Sequence, residues 1–158
     1  MSSDNEFQKG DESETYPSTA GALKKGMIML IKDKVCKVEL ITTSKTGKHG
    51  HAKANITARD IFTGLKAEDS VPTGHNVTMV NVTKTEYDVT MLEDDGQLTL
   101  LAIENEDEDP KIDLAVDVSS DLFKEMKADF DADKDIIVSV TKAMGREKVM
   151  SYRVEKDD

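Results

Sequence analysis

The fold is decided by the stretch from Lys34 to Ala58, KVCKVELITTSKTGKHGHAKANITA, in which two alternating runs flank a polar, basic segment. Apolar side chains recur near every second position in residues 34–41 and again in residues 52–58. Alternation with a period of two is typical of strands that bury one face. The stretch therefore predicts two neighbouring strands, and the connection between them, TTSKTGKHGH, is predicted to form an extended hairpin tip.

Short runs of the same kind continue on both sides of this stretch. They are rich in Val, Ile and Thr, which favour strands, and turn residues separate them every six to twelve positions. Such spacing predicts a small all-β barrel or sandwich. The further predicted strands cover residues 27–31, 65–71, 76–82, 87–92, 97–103, 135–140 and 148–154.

One segment in the second half of the chain has helical periodicity. In SSDLFKEMKADF, Ser119 or Ser120 can cap a helix that is predicted from Asp121 to Asp129. Its apolar residues fall on one face, which predicts core packing, and they are Leu122, Phe123, Met126 and Phe130. Five or so strands with one inserted helix suit an OB-fold barrel.

Charge divides the chain into three parts. Residues 1–20 are polar and acidic with little apolar content, and they are expected to form a disordered tail. Residues 21–83 hold ten Lys and Arg against five acids, whereas residues 84–158 hold ten against 22. A shift of this size predicts two modules with different partners, a basic β domain and an acidic OB-fold domain that meet near residues 82–85.

Composition argues against a membrane or secreted protein. The longest uninterrupted apolar run is Met27–Ile31, far short of the roughly 20 residues that a membrane helix needs. The first residues lack the apolar core of a signal peptide. The single cysteine, Cys36, lies in an alternating run, which predicts a buried thiol in a reducing compartment. We therefore expect a cytoplasmic protein without a membrane partner.

A phosphate-binding loop is suggested by Gly47-Lys48 but fails on spacing. Thr42 stands where the pattern needs a glycine, and His49 stands where it needs Ser or Thr. No set of Ser, His and Asp stands out from ordinary surface residues. We therefore expect no catalytic residues and no enzymatic activity.

Metal sites are not expected either. The only soft ligands near His49 and His51 are His75 and Cys36, and no carboxylate in the loop supports a four-ligand zinc site. The segment DFDADKD, residues 129–135, imitates the start of a calcium loop. It has lysine in place of the sixth-position glycine and valine in place of the twelfth-position glutamate, so it is interpreted as a solvated acidic turn.

The basic loop is the candidate functional site. No acidic residue occurs from Leu40 to Arg59, although the rest of the chain is rich in acids. Gly47 and Gly50 permit a sharp turn, so Lys48 is predicted to project from the hairpin tip. A lone lysine between glycines is also compatible with a plain solvated loop. The density of cations without a carboxylate favours an RNA-lined cavity as the binding partner, since phosphates attract each cation.

At these residues the chain resembles a known family. TSKTGKHGHAK, residues 43–53, is very similar to the signature of the eukaryotic translation initiation factor 5A family, the hypusine-containing proteins related to bacterial elongation factor P. The segments DIFTGLKAED (residues 60–69) and GHNV (residues 74–77) resemble further family segments in the expected order. Over residues 84–158 the resemblance is limited to the order of strands and the single helix.

The resemblance implies a fold, a modification and a set of contact residues. It implies an SH3-like N-terminal domain over residues 21–83 and an OB-fold domain over residues 84–158. Lys48 would be the lysine converted to hypusine by deoxyhypusine synthase, which uses spermidine, and by deoxyhypusine hydroxylase; no other cofactor is implied. The loop residues expected to contact RNA and tRNA are Lys45, Thr46, Gly47, His49, Gly50, His51 and Lys53.

The resemblance also implies a mechanism. The family occupies the ribosomal E site and extends the modified side chain toward the acceptor end of the P-site tRNA. It thereby favours peptide bond formation at stalled sequences such as consecutive prolines, and it assists termination. Two other interpretations of the residues remain: a generic RNA-binding module whose loop works unmodified, and, last, an enzyme acting on a phosphorylated small molecule.

Overall fold

The chain divides into two compact units, Met1–Val82 and Thr83–Asp158. The structure is a computed structural model that describes residues 14–45, 50–105 and 107–156. Each unit is built on one antiparallel sheet with its own hydrophobic core. The all-β prediction is confirmed.

The first unit is a curled six-stranded sheet with the order β1-β6-β2-β3-β4-β5. After β1, a 3-10 turn over Ala20–Ala22 brings the chain to the far edge of the sheet. There the amide of Gly21 donates to the carbonyl of Thr73 at 2.9 Å, next to the end of β5. This contact joins the two edges as in a small barrel. The strands are β1 (Thr15–Thr19), β2 (Ile28–Ile31), β3 (Lys34–Lys45), β4 (Ala52–Asp60), β5 (Lys66–Pro72) and β6 (Asn76–Val80).

Alternating side chains of these strands form the first core. The largest of them, Met29, Ile31, Ile56 and Met79, are almost completely buried. Cys36 lies among them as a free thiol with no exposed surface, and burial raises its pKa. The sequence-based interpretation of Cys36 as a core thiol is confirmed.

Strand β1 corrects the expectation that residues 1–20 form a disordered tail. Thr15–Thr19 pair along their whole length with β6, from Thr15 opposite Val80 to Thr19 opposite Asn76. The segment TYPST has no apolar alternation, so its pairing depends on main-chain hydrogen bonds that the sequence pattern does not reveal. Residues 1–13 lie outside the described residues.

Within its described residues, the second unit contains four strands and one helix. They are β7 (Thr83–Leu92), β8 (Leu98–Ala102), α1 (Asp121–Asp131), β9 (Ile136–Ala143) and β10 (Arg146–Val154), and the sheet order is β10-β9-β7-β8. The sequence predicted five or so strands. The remaining place beside β8 is taken by a segment that forms only isolated bridges, Leu100 with Lys111 and Gln97 with Ala115.

Helix α1 closes the second core. The hydroxyl of Ser120 accepts a hydrogen bond from the amide of Phe123 at 3.1 Å, so Ser120 is the cap of the two predicted candidates. The helix ends at Asp131, two residues later than predicted. Met126 is fully buried, and Leu122, Phe123 and Phe130 pack against the same core. The apolar helix face is core packing, as predicted.

The turn between β7 and β8 depends on a glycine with a close neighbour. Gly96 has a φ of +91°, and a Cβ added to it would overlap the backbone carbonyl oxygen of Val116. That carbonyl cannot withdraw freely, because the amide of Val116 donates to the carbonyl of Gly96 at 2.9 Å. Both the backbone angle and the close approach therefore require glycine here.

We predict that Gly96→Ala destabilises the second unit by roughly 3 kcal/mol or more. The left-handed backbone accounts for about 1–2 kcal/mol of this loss, and overlap with Val116 adds the rest. Gly145→Ala is the matched control, since Gly145 has a φ of +76° with nothing within 4 Å of an added Cβ. Urea unfolding of both variants measures the difference, and equal losses would contradict the role of the Val116 contact.

Tyr152 ties β10 to the end of the helix. Its hydroxyl donates to Oδ2 of Asp129 at 2.7 Å, and Lys134 contacts the other oxygen of the same carboxylate at 3.2 Å. The hydrogen bond to Asp129 raises the pKa of Tyr152 to about 12, and the same bond is the first cause of the lowered pKa of Asp129. The calcium-like segment thus begins with a carboxylate that serves a structural contact.

We predict that this contact gives the stability a pH dependence. Because the folded pKa of Tyr152 lies above its ordinary value of 10.0, its contribution is present below that pH and is lost as pH rises through about 12. Tyr152→Phe should lower the urea midpoint at neutral pH, and the gap to the wild type should close in strong alkali. An ultraviolet absorbance titration should lose its highest-pH component in the variant; an unchanged titration would contradict the assignment.

Candidate nucleic-acid interface

The basic loop connects the two longest paired strands of the first unit. Strands β3 and β4 pair from Cys36 opposite Asp60 to Lys45 opposite Ala52, so residues 46–51 form the connection. The predicted hairpin is confirmed, and its first strand extends to Lys45 at the edge of the loop. Of the predicted site residues, Lys45, Gly50, His51 and Lys53 are described. Thr46, Gly47, Lys48 and His49 lie outside the described residues.

A bulge in β3 determines which side chains the hairpin buries. The register shifts between Val38 and Leu40, so Glu39 is the extra residue. Val38 is buried before the bulge and Ile41 packs on the core after it, while Leu40 is 56% exposed. A bulge bends its strand and reverses the phase of alternation. Beyond the bulge, the side chains of β3 therefore alternate between the core and the solvent in an order that the sequence alone did not predict.

The inner end of the hairpin is held by a buried carboxylate and an arginine. Oδ1 of Asp60, a residue only 3% exposed, accepts hydrogen bonds from the amides of Phe62 and Thr63 at 2.8 and 3.2 Å. The guanidinium of Arg59 donates to the carbonyl of Gly64 at 2.8 Å and pairs with Glu39 at 3.2 Å. These contacts fix the turn after β4 and the bulge in β3 to one another.

The described cations at the outer end have no acidic partner. Lys45, His51 and Lys53 are exposed, and none of them forms an ion pair within the part of the chain that the structure describes. Lys45 pairs with Ala52 and Ser44 pairs with Lys53, so the two lysines point to opposite faces of the hairpin. An anionic ligand would therefore meet positive charge on both sides.

A polar row that sequence reasoning missed crosses the same hairpin. Asn55 Nδ2 donates to Ser44 Oγ at 3.1 Å, and Ser70 Oγ donates to Asn55 Oδ1 at 3.0 Å. The row links β3, β4 and β5 on their outward face. These residues are far apart in sequence, and only the strand register brings them together, so no local pattern could have indicated them.

Two kinds of feature are absent from the described residues, a cluster of metal ligands and a helix that could span a membrane. Within residues 14–45, 50–105 and 107–156, no three His, Cys, Asp or Glu side chains gather in a way that could hold a metal ion. In the same ranges, no helix has the length and apolar character needed to cross a membrane. The arrangement offers a β hairpin whose described outer residues are exposed and include Lys45, His51 and Lys53.

Comparison with known proteins matches both units to one family. The family model "Translation initiation factor 5A-like, N-terminal" matches residues 13–75. The model "Eukaryotic elongation factor 5A hypusine, DNA-binding OB fold" matches residues 81–153. The chain is 40% identical to eukaryotic translation initiation factor 5A-1 of Arabidopsis thaliana over 149 residues, 93% of this chain and 92% of that protein.

Solved structures agree with this match. A translation initiation factor 5A family protein from Naegleria fowleri superposes with a TM-score of 0.78 at 46% identity, covering 89% of this chain and 99% of its own. The factor 5A from Methanococcus jannaschii shares the fold at 19% identity, with a TM-score of 0.63 over 88% of this chain and 97% of its own.

Fold and site together define a two-domain translation factor with a basic hairpin on its first domain and an OB fold as its second. The chain belongs to the translation initiation factor 5A family, whose members include hypusine-containing proteins. The relatives are translation factors and not enzymes.

We predict that, because of the bulge, Val38 and Leu40 contribute very differently to the free energy of unfolding. Leu40→Ala should change the free energy of unfolding by less than about 0.5 kcal/mol, because Leu40 is an exposed residue. Val38→Ala should cost about 2 kcal/mol, because Val38 is 1% exposed. Urea unfolding measures both, and a larger loss for Leu40→Ala would contradict the phase reversal at Glu39.

Proposed function

We propose that Lys48 is converted to hypusine and that the chain then acts as a ribosome-bound translation factor. Three observations support this: membership of the family, the segment TSKTGKHGHAK on the β3–β4 hairpin, and the exposed cations Lys45 and Lys53 beside it, which form no ion pair with any residue that the structure describes. The hairpin carries the proposal, since it is the feature that presents a basic segment away from an otherwise acidic chain.

The proposed modification changes the reach and the charge of the lysine. Deoxyhypusine synthase transfers a four-carbon aminobutyl group from spermidine to the Lys48 amine, and deoxyhypusine hydroxylase adds a hydroxyl group. The product keeps a secondary amine and gains a terminal one, so one positive charge becomes two. The side chain also becomes longer by roughly 6 Å, estimated from ordinary single-bond lengths. Both steps are carried out by other enzymes, and this chain is their substrate.

The proposed site of action is the ribosomal E site in the cytoplasm. From there the modified side chain would extend toward the acceptor end of the P-site tRNA, and Lys45, His51 and Lys53 would contact nearby RNA phosphates. Peptidyl transfer is carried out by RNA, and its rate depends on the orientation of two tRNA ends. A cationic arm that steadies one end lowers the orientational cost without supplying an acid or a base.

This mechanism explains why the factor would be most useful where the ribosome stalls. In the proposed mechanism, positioning limits the rate of peptide bond formation at consecutive prolines, and the same assistance extends to termination. The acidic second unit offers little aromatic surface for base stacking, since Tyr87 and Tyr152 are both partly buried against its core. Its partner is better sought among basic ribosomal proteins.

The alternative is an RNA-binding module whose loop works without modification. The same exposed cations support it, because phosphate binding by Lys45 and Lys53 needs no modified residue. Mass spectrometry of the native protein separates the two functions. Only the first requires the added aminobutyl and hydroxyl mass on the peptide that contains Lys48.

We predict that Lys48→Arg abolishes relief of stalling on a polyproline reporter as completely as Lys48→Ala. Arginine keeps one charge and binds phosphate well, but it lacks the primary amine that accepts the aminobutyl group. Stability should change by less than about 0.5 kcal/mol, as for surface residues in general. Translation rate on the reporter and ribosome binding are the measurements.

Lys45→Arg is the matched control. Lys45 lies at the end of β3 beside the same loop. Its proposed role needs only a positive charge, so this variant should keep most of the activity. Full activity of Lys48→Arg would overturn the hypusine proposal and favour the unmodified module.

A further inference from the structure

The outer part of the β3–β4 hairpin has little apolar contact to hold its register. Thr42, Thr43, Ser44 and Lys45 are all exposed on β3, and among the facing residues Ala52–Asn55 only Ala54 is buried. Strand register is strongly specified where one face packs on a core and weakly specified where both faces are polar. Hydrophobic contact therefore determines the pairing up to Ile41 opposite Ile56, and something else must determine it beyond.

The polar row lies at the position where this second determinant is needed. Asn55 is opposite Thr42 on β3 and opposite Ser70 on β5. Its amide group uses both ends: Nδ2 donates diagonally to Ser44 Oγ at 3.1 Å, and Oδ1 accepts from Ser70 Oγ at 3.0 Å. Ser44 itself is opposite Lys53, one step nearer the loop. Main-chain pairing already joins the outer part of β4 to β5, and the Asn55 side chain adds a connection from Ser44 on β3 to Ser70 on β5.

A slip of register would break this row and displace the loop. Moving the distal part of β3, residues 42–45, by one residue against β4 shifts it by about 3.4 Å and turns each of its side chains to the other face. Ser44 would then leave the outward face and lose its bond to Asn55. Such a displacement is comparable with half the added length of the proposed modified side chain, roughly 6 Å, so it would misplace a group whose role is positioning.

We propose that Asn55, held by Ser70 and bonded to Ser44, fixes the register of the distal hairpin and is a positioning residue for the loop lysine. This inference rests on the proposed function, in which the lysine acts by its location. Ser70 lies on β5, outside the β3–β4 hairpin, and is bonded to Asn55. Its hydroxyl is therefore expected to act on the hairpin through Asn55.

The first test compares Asn55→Ala with Thr57→Ala in the full chain, each modified to the same extent at Lys48 as checked by mass. Thr57 is two residues away on the same face of β4, and its side chain has no hydrogen bond to any described residue. Asn55→Ala should speed amide hydrogen exchange in residues 42–45 and 52–55 by about tenfold, the size expected for two lost hydrogen bonds. Thr57→Ala should leave that exchange within about twofold of the wild type.

The functional readout separates positioning from binding. Asn55→Ala should lower the maximal rate of stalling relief several-fold while the half-saturating protein concentration stays within about twofold, because the loop reaches the ribosome but is misplaced. A raised half-saturating concentration with unchanged amide exchange would overturn the proposal and make the polar row a direct RNA contact. Unchanged exchange with an unchanged rate would overturn it as well.

Ser70 provides an independent arm. Ser70→Ala should reproduce part of both effects, whereas Ser70→Thr keeps the hydroxyl and should restore them. Equal behaviour of the two variants would contradict the proposed connection through Asn55. Lys48→Arg, measured in parallel, distinguishes the two levels of inference. If Lys48→Arg is inactive but Asn55→Ala is fully active, only the positioning role of Asn55 is refuted. If Lys48→Arg is fully active, the proposed function itself is refuted.

Discussion

The antiparallel pairing of β3 with β4 is the interaction on which the first unit depends. The pairing begins at Cys36 and Asp60, which are buried, and ends at Lys45 and Ala52 beside the loop. Its outer part lies in water, since residues 42–45 of β3 are all exposed. The exposed, basic end of the hairpin is a direct consequence of pairing that continues beyond the buried residues.

Two kinds of contact stabilise different parts of that hairpin. Near the core, apolar burial of Val38 and Ile56 stabilises the strands and determines their faces. Farther out, that burial ends, and cross-strand hydrogen bonds between polar side chains take over. Such bonds contribute little to the total stability, since water competes for exposed donors and acceptors. They are directional, however, and direction is what a positioning element needs.

The second unit obeys the same rules with a different outcome. Its core is closed by a helix and by the segment after β8. Some of its polar contacts join one element to another: Lys127 donates to the carbonyl of Leu92 at 2.9 Å, and the hydroxyl of Tyr152 donates to Asp129. The OB fold is thus held together by apolar packing, with polar contacts between some of its elements. The basic loop belongs to the other unit.

Sequence alone determined the features that local chemistry specifies. Alternation predicted most strands, periodicity predicted the helix, and the absence of acids from Leu40 to Arg59 identified the basic loop. Tertiary structure alone decided the pairing of TYPST with β6, the bulge at Glu39, and the row that joins Ser44, Asn55 and Ser70. The physical reason is common to all three. Each depends on main-chain or side-chain hydrogen bonds between distant segments, and such bonds leave no periodic mark on the sequence because any residue supplies a backbone donor and many polar residues can supply the rest.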